Sequence, residues 1–482
     1  MNKIPQISKL GSKLLAIKLS DTTNKTSEYK RAIFYSLSEM GGVYIKFLQI
    51  MATNSNFMKG WSGPRELSVF ENVKIEPLNI YDYVDASAFS YLESTAFASG
   101  SFAQVYKGQL KTGEVVAIKV LRPSATQNLN NDLKTIKNLA RVIPRFLPST
   151  IIDFKSLAAE FVKTTKAEID YNREIANIEY FYNYYQHNPN IVIPKVYKNL
   201  SNSHAIVQDF IAGPTLAEVM VGSSDKNPID ITKELVGSDL QTQLTIFGTE
   251  LLNLAFFADY FFGDPHPGNI KLLPNNKVGI IDFGIVVDPP SSRRALYDYM
   301  YEYLRVLNGY SHIDRVIKSA FYFCCPDLAL VLQNHSLDTN SLLEQVAVAV
   351  DSKLVAMRAE ATVKDVFAKG QLFKLFYQIL DKNGALTFQI SETELMMLKS
   401  MQVFLSSMNR LGDSIDASFY FYALRDGIAG AVKAVNDRGG LSADYPLSSR
   451  YSEAEGYTVI ADILASLANK DQFIFNAISS SI

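Results

Sequence analysis

"GDPHPGNIKLLPNNKVGIIDFG", residues 263–284, sets an Asp, a His and an Asn among Gly and Pro, then turns into an apolar run ending in Asp-Phe-Gly. Pro265, Pro267 and Gly268 hold the first part on a fixed, non-helical path. The run "VGIIDFG" is apolar enough to be a buried strand that carries Asp282 at its end. The D-x-x-x-x-N spacing offers Asp264 to accept or orient a nucleophile's proton. Asn269 and Asp282 offer oxygen ligands for a Mg2+ that bridges nucleotide phosphates.

Upstream, "ASGSFAQVYKG" (98–108) lies at a turn between two predicted strands. Its small residues suit a loop whose backbone N–H groups approach phosphates. Ala98, Ser99, Gly100, Ser101, Phe102, Ala103 and Val105 are therefore candidate nucleotide contacts; a plain small-residue hairpin would look the same. Further along, "VAIK" ends in Lys119, in mid-strand. A lysine there is costly unless its ammonium is paired or meets a ligand, or unless it snorkels from an edge strand. "KAEIDYNREIAN" (166–177) offers partners. On one helix, Asp170, Glu174 and Asn177 fall at i, i+4 and i+7, with Glu168 pointing elsewhere or at the helix start. Glu174 is the expected partner of Lys119.

The pattern around these motifs is bilobal α+β. Residues 1–80 form a helical extension in which "EYKRAIFYSLSEMGGVYIKFLQIM" (28–51) has the strongest period. Residues 81–213 hold a small sheet with a helical insertion. "FAQVYKGQL" and "EVVAIKVL" make a hairpin through Lys111-Thr112-Gly113, and "IVIPKVY" (191–197) and "HAIVQDF" (204–210) are two further strands. Asp209, near the end of the last, is a further candidate nucleotide contact. Residues 214–400 are mostly helical around the opening motif, and 401–482 form a helical tail.

With 482 residues, 48% of them hydrophobic, there is material for a large core. A formal net charge of −2 gives no global basic field for nucleic acid. The two cysteines, Cys324 and Cys325, are adjacent and build no disulfide framework; the five histidines show no zinc spacing. Lys3, Lys9, Lys13 and Lys18 alternate with Ile and Leu in the first helix, which fits either a protein-docked or a membrane-surface helix. The apolar stretch at 244–262 contains Glu250 and Asp259 and reads as a buried core helix. With neither a signal peptide nor a membrane span, the expected location is cytoplasmic, with or without peripheral membrane contact.

Taken in order, these motifs resemble the UbiB family of atypical kinases, the AarF-like group, over roughly residues 30–310. "GGVYIKFLQIMATNSNFM" is similar to that family's K-x-G-Q segment, with Lys46 and Gln49 at the matching places. "ASGSFAQVY" resembles its alanine-rich loop, "VAIKVLRP" its lysine strand and "EIDYNREIAN" its E-x-D helix; "GDPHPGN" and "DFG" complete the series. The resemblance implies a bilobal protein-kinase-like fold whose N-terminal extension lies over the active site, with Lys46 and Gln49 near Glu168 and Asp170 in a regulatory role. It also implies ATP or ADP binding with Mg2+, kinase or ATPase activity, and service to ubiquinone-type isoprenoid-lipid metabolism near a membrane. Three departures stand out. Leu48 replaces the glycine of K-x-G-Q, Gly100 replaces a loop alanine, and the tail lacks the membrane-spanning run of many bacterial relatives.

After Gly284 the sequence runs "IVVDPPSSRRALYDYMYEYL", without an A-P-E motif. That favours a small-molecule or lipid substrate, or plain hydrolysis. Two other readings remain: a small-molecule phosphotransferase like aminoglycoside or choline kinases, and a nucleotide-binding scaffold without turnover.

Overall fold

The computed structural model describes residues 3–20, 24–53, 77–100, 102–126, 128–146, 154–222 and 226–290, with isolated positions from 295 to 411. Ser101, the side chain of Gln49, Cys324, Cys325, the path after "IVVDPP" and the C-terminal tail lie outside the described residues. Two compact units emerge: Met1–Glu179 with Pro194–Phe210, and Tyr180–Ile193 with Ile211–Ile482.

The first unit combines helices with an antiparallel sheet. Helices α1 (Ile4–Leu19), α2 (Lys25–Met40) and α3 (Val43–Thr53) come first. Gly41 and Gly42, at φ of +68° and +51°, break the 28–51 period into α2 and α3, a turn that a side chain would strain. The sheet contains β1 (Phe89–Leu92), β2 (Ala98–Ser99), β3 (Ala103–Leu110) and β4 (Val115–Leu121). Two helices follow, α4 (Leu129–Val142) and α5 (Phe154–Glu168); then α6 (Tyr171–Tyr185), which runs across the boundary into the second unit.

Two apolar cores divide this unit. Leu10 and Leu14 of α1 join Ile33, Leu37, Phe47 and Leu48 of α2 and α3, and Ile136 and Phe161 of α4 and α5. The first helix is thus docked on protein. The second core lies on one sheet face, where Tyr106 and Leu110 of β3 meet Ile118 and Val120 of β4 and Val207 of β6 (Ala205–Asp209). Strand order is β1-β3-β4-β6, with β2 beside β3. The expected hairpin is present, and Gly113, at φ +106°, makes its turn. Strand alternation puts Val105, Lys119 and Ile206, which are cross-strand neighbours, on the other face.

"IVIPKVY" does not form one strand. β5 (Ile191–Val192) pairs in parallel with β9 (Val278–Ile280) in the second unit, while Val196 bridges Gln208 in the first. Pro194 between them has no N–H to give a ladder. In the second unit, a capping box of Thr215 and Glu218 starts α7 (Leu216–Val221). Helix α8 (Pro228–Val236) ends at Gly237 in the left-handed region, and Asp239 caps α9 (Leu240–Phe257). The apolar stretch 244–262 leaves the helix at Phe257 and finishes as β7 (Phe261–Phe262), paired with β10 (Val286–Val287). β8 (Ile270–Leu272) pairs with β9. Among the described residues, no helix is long and apolar enough to cross a membrane.

Candidate active site

In the first unit, Lys119 Nζ lies 2.7 Å from Glu174 Oε1, with side-chain exposures of 17% and 2%. Strand pairing on both sides of β4 and the first turn of α6 set this contact. The helix around Glu174 differs from expectation. α5 ends at Glu168, and Asp170 stands before α6, accepting the Arg173 N–H at 3.2 Å as a cap. Asp170 is thus the cap of the helix that carries Glu174 and Asn177, its carbonyl accepting the Glu174 N–H at 3.0 Å, and the helical run breaks just before it. Glu168, at the other side of this break, pairs with Lys46 of α3. Asp170 is exposed and occupied with its cap.

Lys46 also lies over the Phe102 ring, 4.7 Å from its centroid. In the 98–105 loop, Ala98 pairs with Val105 and Ser99 with Gln104, and the Gly100 N–H donates to the Ala103 carbonyl at 2.8 Å. Ser99 Oγ is buried without a hydrogen-bond partner among the described residues, an opening for a polar ligand. Asp209 accepts from Tyr197 Oη at 2.8 Å and from the Lys195 N–H at 3.1 Å. Those bonds tie the strand end to the preceding loop.

In the second unit, Asn269 Nδ2 donates to Asp264 Oδ2 at 2.9 Å and to the Asp264 carbonyl at 3.1 Å. The Asn269 carbonyl accepts the Ile281 N–H at 3.2 Å, which places Asn269 beside the chain leading into Asp282. Asp282 Oδ1 accepts the Gly284 N–H at 3.0 Å. His266 serves the turn, its Nδ1 accepting from Gly268 N–H. Gly263 has no room for a side chain: a Cβ would lie 2.7 Å from Ile285 Cγ2 and 2.9 Å from the Ile285 carbonyl. Phe283 stacks on Phe181, centroids 4.9 Å apart.

Several supporting contacts escaped the sequence reading. Gln243 donates to the Leu273 and Lys277 carbonyls at 2.9 and 2.8 Å and so holds the β8–β9 turn. Lys271 donates to the Gly213 carbonyl at 2.8 Å, and burial lowers its pKa. Glu250 accepts from Asn188 at 3.0 Å, and burial raises its pKa. Polar residues on apolar elements were the available signal, but a sequence does not tell which carbonyls they reach.

Among the described residues, no group of three or more His, Cys, Asp or Glu could hold a metal. An amide and a carboxylate oxygen, from Asn269 and Asp282, fit the sparse protein share of a Mg2+ shell, which phosphates and water complete.

Residues 83–309 match the ABC1 atypical kinase-like domain. Over that span, just under half of the chain, it is similar to the ABC1/UbiB atypical kinases. An uncharacterized protein from Synechocystis is 31% identical over 52% of this chain and 64% of its own length. The chloroplastic protein ACTIVITY OF BC1 COMPLEX KINASE 1 of Arabidopsis thaliana is 34% identical, over 44% of this chain and 30% of its own. "Probable protein kinase UbiB" of Pseudomonas fluorescens is 27% identical over 52% of this chain and 47% of its own. The chain thus matches less than two thirds of each relative's length. Its sheet-then-helix order is that of the kinase-like fold expected of an ABC1/UbiB domain.

Proposed function

We propose that this chain, like the atypical kinases it resembles, binds ATP or ADP with Mg2+ and transfers or hydrolyses the terminal phosphoryl group. The observation that carries this reading is the 2.7 Å pairing of Lys119 with the buried Glu174. It fixes a cation on the sheet face that also carries Val105 of the small-residue loop. Such a lysine meets nucleotide phosphates, and its carboxylate partner aims it. Asn269 and Asp282 would hold Mg2+, which when bound neutralises charge on the transferring group. Asp264, hydrogen-bonded to Asn269, orients the acceptor's hydroxyl or water and takes its proton. The sequence after Gly284 has no peptide-seating A-P-E, which favours a small-molecule or lipid acceptor. The likeness to UbiB proteins supports service to isoprenoid-lipid metabolism at a membrane surface.

The test is a thermal-shift series with ATP and ADP, with and without Mg2+, on the native chain and Asp282→Asn. Nucleotide at 100 times its Kd should stabilise the native chain by about 2.7 kcal/mol, and the substitution should remove the Mg2+-dependent part. No nucleotide shift, or an equal Mg2+-dependent shift in the variant, defeats the proposal.

A further inference from the structure

The tip of the 98–105 loop is not packed in the core beneath its own sheet. Phe102, 5% exposed, belongs to the helical core with Leu37, Phe47, Ile136 and Phe161. The Lys46 ammonium covers its ring while pairing with Glu168. Arg122, at the end of β4 and 8% exposed, grips the loop twice. Its guanidinium donates to the Gly100 carbonyl at 3.0 Å, and its backbone N–H donates to the Phe102 carbonyl at 2.8 Å. An aromatic anchor on one side and an arginine on the other fix a segment whose small residues would otherwise leave it loose.

We infer that Phe102 and Arg122 are positioning residues: they seat the loop on the N-terminal helices so that its backbone is set before a nucleotide arrives. The loop's role toward phosphates rests on the function proposed above; its seating does not. A pre-set loop spares the ligand the cost of ordering it, so loss of the anchor should weaken binding rather than strengthen it. The N-terminal helices thereby become part of the binding apparatus through packing alone, without touching a ligand.

Hydrogen–deuterium exchange and calorimetric titration of Mg2+-ADP, both on the full chain, test the inference. In Phe102→Ala, peptides covering 98–105 should exchange about tenfold faster without ligand, and ADP should bind about tenfold more weakly, as expected when one or two side chains must be ordered afresh. Phe102→Leu refills the core and should restore both to within about twofold. β6 peptides should exchange as in the native chain, which separates loop release from unfolding. Unchanged loop exchange in Phe102→Ala overturns the inference, as does faster exchange with equal or tighter ADP binding. If neither the native chain nor Phe102→Leu binds ADP while loop exchange responds as stated, the seating stands and the nucleotide reading falls.

Discussion

Removing either partner of the Lys119–Glu174 pair should not cost the same. Glu174 is 2% exposed and Lys119 17%. Lys119→Met takes the cation away from a carboxylate that is almost wholly enclosed, and removing one partner of a buried pair costs about 3–5 kcal/mol. Glu174→Gln leaves an ammonium on a flexible stem that can lean toward solvent, so the loss is nearer the worth of one charge-assisted hydrogen bond, about 1.5–3 kcal/mol. Exchange protection in peptides spanning β4 and α6 reads these costs locally, which suits a chain of two units better than one global midpoint. Lys119→Met should speed exchange there by at least about two decades, and Glu174→Gln by one to two. The double variant Lys119→Met/Glu174→Leu should lie near the native chain. Equal costs for the single variants, or the reverse order, would refute the claim that burial sets the balance.

Glu250→Gln should flatten the pH dependence of the second unit's stability. Burial raises the Glu250 pKa, so its stabilising contribution is present at low pH and fades as pH rises from the ordinary carboxylate range through the folded value. A difference in urea midpoint between native and variant that stays constant from pH 4 to pH 8 would contradict this. Gly213→Ala should cost about 1–3 kcal/mol from φ +143° alone, plus a clash with the Leu272 carbonyl 2.5 Å from the new Cβ. Gly222→Ala, whose Cβ would meet only Ile231 at 3.8 Å, is the control, and urea melts of the two should differ clearly. Asp264→Asn should leave Mg2+-nucleotide affinity nearly intact and cut turnover about 10²–10⁴-fold; unchanged turnover would place proton acceptance elsewhere.

The parts of this site legible in the sequence were those dictated by short-range rules. Apolar and β-branched runs located β3 and β4, turn residues located their hairpin, and the expense of a mid-strand lysine called for a carboxylate that Glu174 supplies. The D-x-x-x-x-N spacing singled out Asp264 and Asn269, though not the hydrogen bonds that join them. The misreadings arose where a single residue interrupts a period. Asp170 caps a new helix inside what reads as one stripe, and Pro194 divides an apolar run between two partners. Both were visible as residue types, but periodicity outweighed them. The seating of Phe102 among distant helices could not be read at all, because an aromatic residue in a loop carries no sign of which core receives it.

Leu48 shows how far a motif can keep its outline while changing its interior. In the stretch that resembles the K-x-G-Q segment of UbiB-type proteins, Leu48 stands at the glycine's place, its side chain fully enclosed by its neighbours. Restoring the glycine would excavate a void the size of a leucine and loosen the backbone of α3 at the same residue, penalties of about 2–5 and 0.5–1 kcal/mol. Back-substitution toward a family average, ordinarily a route to sturdier proteins, would here hollow out the bundle it was meant to repair.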